Sequence, residues 1–323
     1  MSTPLVTIRC LVYNHEPYLR QCLDGFVMQK TNFPFEAIVH DDASTDRSAE
    51  IIREYAEKYP DIIKPIFETE NQYSKKDGSL RRIMDKHMRG KYIAMCEGDD
   101  YWIDPLKLQK QVDFLELNSE YGLVYTPVDC VKGNNIVGSF GKQISGFEDL
   151  LVEGNVIPTL TTCFRREFLE SYNLFVTNSH QKWRMGDFPL WLWISLTHKL
   201  CFIPEKTGAY RIIENSVSHP KFLLSKISFI VNVQDIKLFF GERFGFKQID
   251  LILQEKYWWL VIQTLLLKGE KKLLFLYLHE LKKYKKRLSL KQLFIINSAY
   301  ISTSFTSFIL KFYLERILKI AQR

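Results

Sequence analysis

Short apolar runs at residues 5–12, 35–40, 62–67, 91–96 and 122–126 are bounded by polar or turn-forming residues, as buried strands are. Between them, residues 16–29, 44–59, 79–89 and 105–118 space their apolar positions at the helical period. This alternation predicts an α/β fold in which a mostly parallel sheet is flanked by helices. Asp104-Pro105 reads as a helix start, with Asp as cap and Pro in the first turn, and Ser44 reads as the cap of the second helix. Residues 127–220 are less regular, with turns at Gly133-Asn134-Asn135 and Gly138 and aromatic-rich helical stretches at 165–172 and 188–197. From 220 onward the pattern changes to long helical stretches of Leu, Ile, Phe and Lys. Three parts are expected: 1–126, 127–220 and a helical, basic extension, 221–323.

Composition adds little until charge is divided along the chain. With 323 residues, 46% hydrophobic and 25% charged, the chain matches an ordinary soluble globular protein of two domains, or of one domain with a long appendage. The net charge of +7 hides a contrast, because residues 221–323 carry +12 and residues 1–220 carry −5. A basic region meets nucleic acid, anionic lipid or an acidic partner, and charge alone does not choose among them. The six cysteines form no C-x-x-C pair, which argues against a zinc site or a disulfide framework. Met1-Ser2-Thr3-Pro4 leads straight into the first strand without a charged and then apolar leader, so a cytoplasmic protein is expected. Neither G-x-G-x-x-G nor G-x-x-x-x-G-K-[ST] occurs, so no dinucleotide fingerprint or P-loop is supported.

Ligands of open α/β sheets bind beyond the carboxyl ends of the strands, and here three strand ends carry chemistry. Tyr13-Asn14 follows the first strand, Asp41-Asp42 the second, and Glu97-Gly98-Asp99-Asp100-Tyr101-Trp102 the fourth. Adjacent carboxylates repel, and one stays protonated unless a cation or strong hydrogen bonds compensate. Mg²⁺ or Mn²⁺ suits such oxygen ligands and leaves positions open for phosphate oxygens, although acidic pairs in loops also serve as turn caps. A nucleotide needs a face to stack on, acceptors for base and ribose donors, and a cation for its diphosphate. Tyr13, Asp42 and the Asp99-Asp100 pair are suited to these needs in that order.

The sequence resembles glycosyltransferase family 2, whose catalytic domain has the GT-A fold. The matching segments are Val6-Thr7-Ile8 through Tyr13-Asn14, Tyr18-Leu19-Arg20-Gln21-Cys22-Leu23, His40-Asp41-Asp42-Ala43-Ser44-Thr45-Asp46, and Gly90-Lys91-Tyr92-Ile93 leading into Glu97-Gly98-Asp99-Asp100. The resemblance implies that Tyr13 packs on the nucleotide base, Asp42 accepts from it, Asp99 lies near the ribose or metal, and Asp100 binds the metal bridging the diphosphate. Two departures stand out: Glu97 replaces the Asp of many members, and Leu11-Val12 precede Tyr13 where a small polar residue is frequent. A lone Asp at a helix start is a cap in its own right. The resemblance instead makes Asp187, in Met185-Gly186-Asp187-Phe188-Pro189-Leu190-Trp191, the base that takes the acceptor's proton. Tyr210-Arg211 and Ser216-Val217-Ser218-His219 resemble a segment that closes the active site. In that setting His219 reaches the metal or a phosphate and Arg211 offsets leaving-group charge, while a surface histidine and a structural arginine fit the residues equally well. Trp102 and Trp191 are open between stacking on sugars and core packing, and Trp193 is assigned to the core.

The implied reaction is metal-dependent, inverting transfer of a hexosyl or N-acetylhexosaminyl group from a nucleoside diphosphate sugar, a UDP-sugar in the first instance. The implied acceptor is a hydroxyl on a glycan or a lipid-linked intermediate in envelope or surface glycan synthesis. In the extension, residues 270–291 place Leu273, Leu274, Leu276, Tyr277, Leu278 and Leu281 beside Lys282, Lys283, Lys285, Lys286 and Arg287. That pattern suits a helix on an anionic membrane surface at the cytoplasmic face, or a helix packed on the catalytic domain with a solvated lysine face. Residues 292–310 are uncharged but interrupted by Asn297 and several Ser and Thr, which favours peripheral attachment over spanning. Two alternatives stay open. A nucleotidyltransferase also sets acidic pairs on an α/β sheet, although no Gly-rich phosphate loop is present. A nucleic-acid-binding role for the basic tail lacks any recognition motif, and no nucleic-acid partner is expected.

Overall fold

The computed structural model describes residues 3–179, 183–213 and 221–320. The chain forms two compact units, one built from Met1–Gln181 and Gly186–Ile212, the other from Lys182–Met185 and Ile213–Arg323.

The first unit is built on strands β1 (Val6–Val12), β2 (Phe35–Asp41), β3 (Ile63–Phe67), β4 (Tyr92–Met95), β5 (Tyr101–Trp102), β6 (Tyr121–Tyr125), β7 (Val128–Lys132), β8 (Asn135–Phe140), β9 (Cys163–Arg165), β10 (Lys199–Phe202) and β11 (Gly208–Arg211). Seven of them form the main sheet in the order β10-β6-β9-β4-β1-β2-β3. The ladders β4-β1-β2-β3 and β10-β6 are parallel, and β9 runs antiparallel between β4 and β6. A smaller sheet, β5-β11-β7-β8, carries the segment after β4. Helices α1 (Glu16–Val27), α2 (Ser48–Lys58), α3 (Gln72–Lys75), α4 (Ser79–His87) and α5 (Lys107–Leu117) occupy the crossovers. They are followed by α6 (Phe147–Glu153), α7 (Arg166–Ser179) and α8 (Asp187–Ser195). This is the α/β architecture the alternation predicts.

The core explains why. β1 sends Val6, Ile8, Cys10 and Val12 into the interior, where they meet Leu19, Cys22, Leu23 and Phe26 of α1 and Leu108, Val112 and Leu115 of α5. Each such side chain contributes about 1.5–3 kcal/mol by leaving water. α8 is apolar on every side and is buried accordingly, from Phe188 through Ile194, with only Trp193 half exposed. Two helix starts differ from the sequence reading. α2 begins at Ser48 with Arg47 as cap, because the Ser44 hydroxyl is taken by the Asn14 N–H at 2.9 Å. α5 begins at Lys107 rather than at Pro105, and Asp104 accepts the Leu106 N–H at 2.8 Å one turn earlier.

In the second unit, helices α9 (Leu223–Arg243), α10 (Ile249–Leu267), α11 (Lys271–Lys282), α12 (Leu290–Ile301) and α13 (Thr303–Ile320) surround an apolar cluster that includes Ile227, Val261, Leu265, Leu278, Ile295 and Leu310. The stretch 270–291 is not one helix. It breaks after α11 into a 3-10 turn at Lys285–Arg287, and Ser289 and Gln292 form a capping box that starts α12. Leu274, Leu278 and Leu281 are buried in the unit's own cluster, whereas Leu273 and Leu276 are exposed. No described helix is long and apolar enough to cross one.

Candidate active site

The ends of β1, β2 and β4 lie side by side, because β1 pairs with β2 on one side and β4 on the other. Beyond β1 the chain turns sharply at Asn14, whose φ of 55° is left-handed, and beyond β2 at Ala43, with φ 61°. Such conformations in non-glycine residues persist only where the surroundings enforce them. Here the two loops enforce one another. Asn14 Oδ1 accepts the Thr45 N–H at 2.7 Å, Ser48 Oγ accepts the His15 N–H at 2.9 Å, and Asp46 Oδ2 accepts the Glu16 N–H at 2.9 Å. The polar residues after Asp42 therefore shape the loop that presents Tyr13, which is 46% exposed.

Asp42 is buried, and its carboxylate accepts the N–H groups of Gln72 (2.6 Å) and Tyr73 (3.0 Å) at the start of α3. Each oxygen retains a second lone pair for a further donor. Glu97, directly after β4, accepts the Leu11 N–H at 3.2 Å and pairs with Arg9 at 3.5 Å. Burial pushes its carboxyl up to about 7 against the pull of Arg9, with Asp99 and Asp187 adding like charge. A third of the Glu97 side chain nonetheless faces solvent. His15 packs against this loop so closely that a Cβ on Gly98 would lie 2.8 Å from its Nδ1. Burial holds the imidazole below its usual pKa, opposed by Asp99.

Asp100 is buried and accepts the Arg211 backbone N–H at 2.7 Å. Burial first, and the Asp99 charge second, push its carboxyl well above the usual carboxylate range. The Arg211 guanidinium donates to the Asp99 carbonyl and to Gln21 Oε1, and lies over the rings of Tyr101 (4.5 Å) and Tyr18 (5.0 Å). Glu97, Asp99 and Asp100 thus crowd three carboxylates into four residues, with Arg9 and Arg211 beside them. A divalent cation relieves that crowding, and Mg²⁺ or Mn²⁺ is commonly held by one or two carboxylates with substrate phosphates completing the shell. Asp100 and Asp99 fit this role, although no group of three or more potential metal-binding side chains occurs among the described residues. His219 lies outside the described residues.

Asp187 belongs to the same unit and stands at the first position of α8, with Gly186 as cap. Its Oδ2 accepts Thr159 Oγ1 at 2.8 Å and Asn155 Nδ2 at 3.0 Å, and its Oδ1 accepts the Phe188 N–H at 2.8 Å. Thr159 is in turn tied to the acidic loop. Trp102 donates its indole N–H to the Leu160 carbonyl at 2.6 Å, and Gln111, held by buried Lys107 at 2.7 Å, donates to the Thr161 carbonyl at 2.7 Å. Lys107 Nζ sits 4.1 Å from the Trp102 ring centre, and burial pushes the ammonium down to about 8. Trp102 and Trp191 are core residues and not sugar platforms, since each is fully enclosed. Trp193 is the half-exposed one, stacked on Phe175 at 4.4 Å with its N–H on Ser171 Oγ at 3.0 Å.

Sequence reasoning missed Asn155 and Thr159. They sit in an irregular stretch, and only a carboxylate without local partners at a helix head signals that distant donors must exist. Thr159→Val is expected to lower kcat by about 10- to 100-fold, the worth of a hydrogen bond to a charged group, with KM for the sugar nucleotide little changed. Thr159→Ser should restore turnover, and equal losses in kcat from both variants would refute the positioning role.

The mostly parallel mixed sheet flanked by helices, with polar groups at the ends of β1, β2 and β4, is GT-A-like. The model of the family "Glycosyl transferase family 2" matches residues 10–171, and the chain belongs to this family. Among its relatives, the uncharacterized protein Rv1520 of Mycobacterium tuberculosis is 33% identical over 225 residues, covering 67% of this chain and 61% of the relative. The chain thus spans about three fifths of that protein's length. The UDP-Glc:alpha-D-GlcNAc-diphosphoundecaprenol beta-1,3-glucosyltransferase WfgD of Escherichia coli is 27% identical over 228 residues, 69% of this chain and 83% of WfgD. The structure of S. aureus TarS 1-349 in complex with UDP-GlcNAc shares the fold with a TM-score of 0.62 at 14% identity, covering 96% of this chain and 91% of TarS 1-349. The mannosyltransferase PcManGT of Pyrobaculum calidifontis, in complex with GDP-Man and Mn²⁺, gives a TM-score of 0.53 at 18% identity over 99% of this chain and 87% of PcManGT.

Proposed function

We propose that the protein transfers a hexosyl or N-acetylhexosaminyl group from a UDP-sugar to an acceptor hydroxyl with inversion at the anomeric carbon. The observation that carries this reading is the convergence, within one unit, of exposed Tyr13, Asp42 and the Asp99-Asp100 pair at adjacent strand ends with Asp187, at the head of α8 and held by Thr159 of the turn tied to Trp102. Tyr13 stacks on the base, and the free lone pairs of Asp42 accept from base or ribose. Arg211, fixed beside Asp99, faces charge on the departing diphosphate. Asp187, aimed by Thr159 and Asn155, takes the proton of the acceptor hydroxyl as its oxygen bonds to the anomeric carbon and the bond to the diphosphate breaks. Asp100 and Asp99, with His219 as a further ligand to metal or phosphate, would hold Mn²⁺ or Mg²⁺, which would supply neutralising charge at the diphosphate.

Residues 1–126 bind the donor and 127–220 the acceptor in this reading. The activity of WfgD, on a diphosphoundecaprenol-linked sugar, supports a lipid-linked acceptor, which the basic 221–323 region would meet as a peripheral protein at the cytoplasmic face of the membrane. The test is calorimetric binding of UDP with and without Mn²⁺, followed by a screen of UDP-sugars in which released UDP is measured. Metal-dependent binding and sugar-dependent UDP release are expected. Pyrophosphate release would point to a nucleotidyltransferase, and no UDP binding in either condition would overturn the donor assignment.

A further inference from the structure

The second unit leaves an apolar face bare. α12 sends Ile295, Ile296 and Ala299 into the unit's cluster, and α13 sends Leu310 and Leu314 into the same cluster. At 3.6 residues per turn, Leu290, Phe294 and Ile301 lie on the opposite side of α12, and Phe305, Phe308 and Phe312 on the opposite side of α13. These six side chains are 58–88% exposed. α12 and α13 adjoin one another, joined through Ser302 and with Thr306 Oγ1 donating to Ser298 Oγ at 3.2 Å. Single exposed apolar residues are ordinary, but six on the outer sides of two adjoining helices mark an interaction surface.

The flanks are cationic. Lys285, Lys286 and Arg287 are exposed in the turn that precedes α12. Lys282 Nζ lies 4.1 Å from the ring centre of Tyr300 on α12, and Lys291 Nζ lies 5.5 Å from that of Tyr313 on α13. Beside Phe308 opens a groove of about 370 Å³, lined by Leu223, Leu224 and Leu266 and by Lys268 and Lys311.

We propose that this face docks on an anionic phospholipid bilayer, with α12 and α13 lying along the headgroups and their phenylalanines in the acyl boundary. A bilayer offers hydrocarbon and negative charge together, which is what phenylalanines rimmed by lysines match. A second copy of the chain would bring the same cationic flanks against these, so like charge opposes self-association through this face. The docking face lies on the outer sides of α12 and α13 and not on Leu274, Leu278 and Leu281 of α11, which the cluster takes. It deepens the peripheral-membrane part of the proposed function, and none of its residues belongs to the unit that holds Asp187.

The test is co-sedimentation of the full chain with vesicles of phosphatidylcholine alone or containing about 30% phosphatidylglycerol, at low and high salt. Salt-sensitive binding to the anionic vesicles is expected. It should weaken by about tenfold or more in Phe305→Ser/Phe308→Ser/Phe312→Ser, and by about fivefold per charge removed in Lys285→Gln/Lys286→Gln/Arg287→Gln. The second variant changes only exposed side chains and decides the matter if the first fails to fold. Three results would overturn the proposal: no binding to either vesicle, undiminished binding by both variants, or a dimer that the serine variant converts to monomer. UDP binding, measured on the same samples, reports on the donor site separately, so a failure here leaves the catalytic reading standing.

Discussion

Asp187→Asn is expected to lower kcat by about 10²- to 10⁴-fold, the usual range for general-base assistance, while leaving UDP affinity nearly unchanged. The substitution is nearly isosteric. Its amide oxygen can still accept the Thr159 and Asn155 donors that hold Oδ2 of the native carboxylate at 2.8 and 3.0 Å, and the one bond given up at the head of α8 is that from the Phe188 N–H to Oδ1. What the variant loses is a site for the acceptor's proton. A single-turnover assay with saturating donor separates this from a binding defect, and full turnover by Asp187→Asn would end the assignment. A collapse of UDP binding would mean that Asp187 serves the donor site instead.

Asp100→Asn is expected to weaken UDP binding in Mn²⁺ by about 100-fold or more, because the worth of metal neutralisation at a diphosphate is several kcal/mol. In metal-free buffer the variant and the native protein should bind UDP alike. Asparagine keeps an acceptor for the Arg211 N–H, so β11 stays attached, and it removes a buried charge that stands against Asp99. The metal-free Tm should therefore not fall. Calorimetry with and without Mn²⁺ and a thermal melt check both halves. Unaltered metal dependence in Asp100→Asn would show that the cation is held elsewhere.

The strand ends were legible because parallel strands buried on both faces read as unbroken apolar runs, and the residue that follows each run must lie at the sheet's edge. Tyr13 and Asp42, directly after β1 and β2, and the acidic segment after β4 are placed at the strand ends in that way. The helix starts were misread at Ser44 and Asp104 because a capping side chain binds whichever N–H the loop presents, and here Asn14 outcompeted the helix. Trp102 and Trp193 were harder still. Both are aromatics near site residues, and only the third dimension shows that one is enclosed by Phe26, Lys107 and the 159–161 turn while the other stacks on Phe175 beside solvent. In the extension, leucines three and four apart announced an amphipathic helix. Their pattern does not say whether the apolar side meets a bilayer or a neighbouring helix, and in α11 Leu274, Leu278 and Leu281 meet neighbouring helices while Leu273 and Leu276 stay exposed.

The antiparallel strand β9 lies between β4 and β6, and its residues come from the far side of the irregular stretch. A chimera that exchanged the half proposed to bind the acceptor for that of a relative, cut near residue 126, would have to replace both neighbours' ladder partner at once. It would also have to supply a carbonyl for the Trp102 indole. Acceptor preference in this protein is therefore grafted most safely loop by loop, with 159–165 kept as part of the frame.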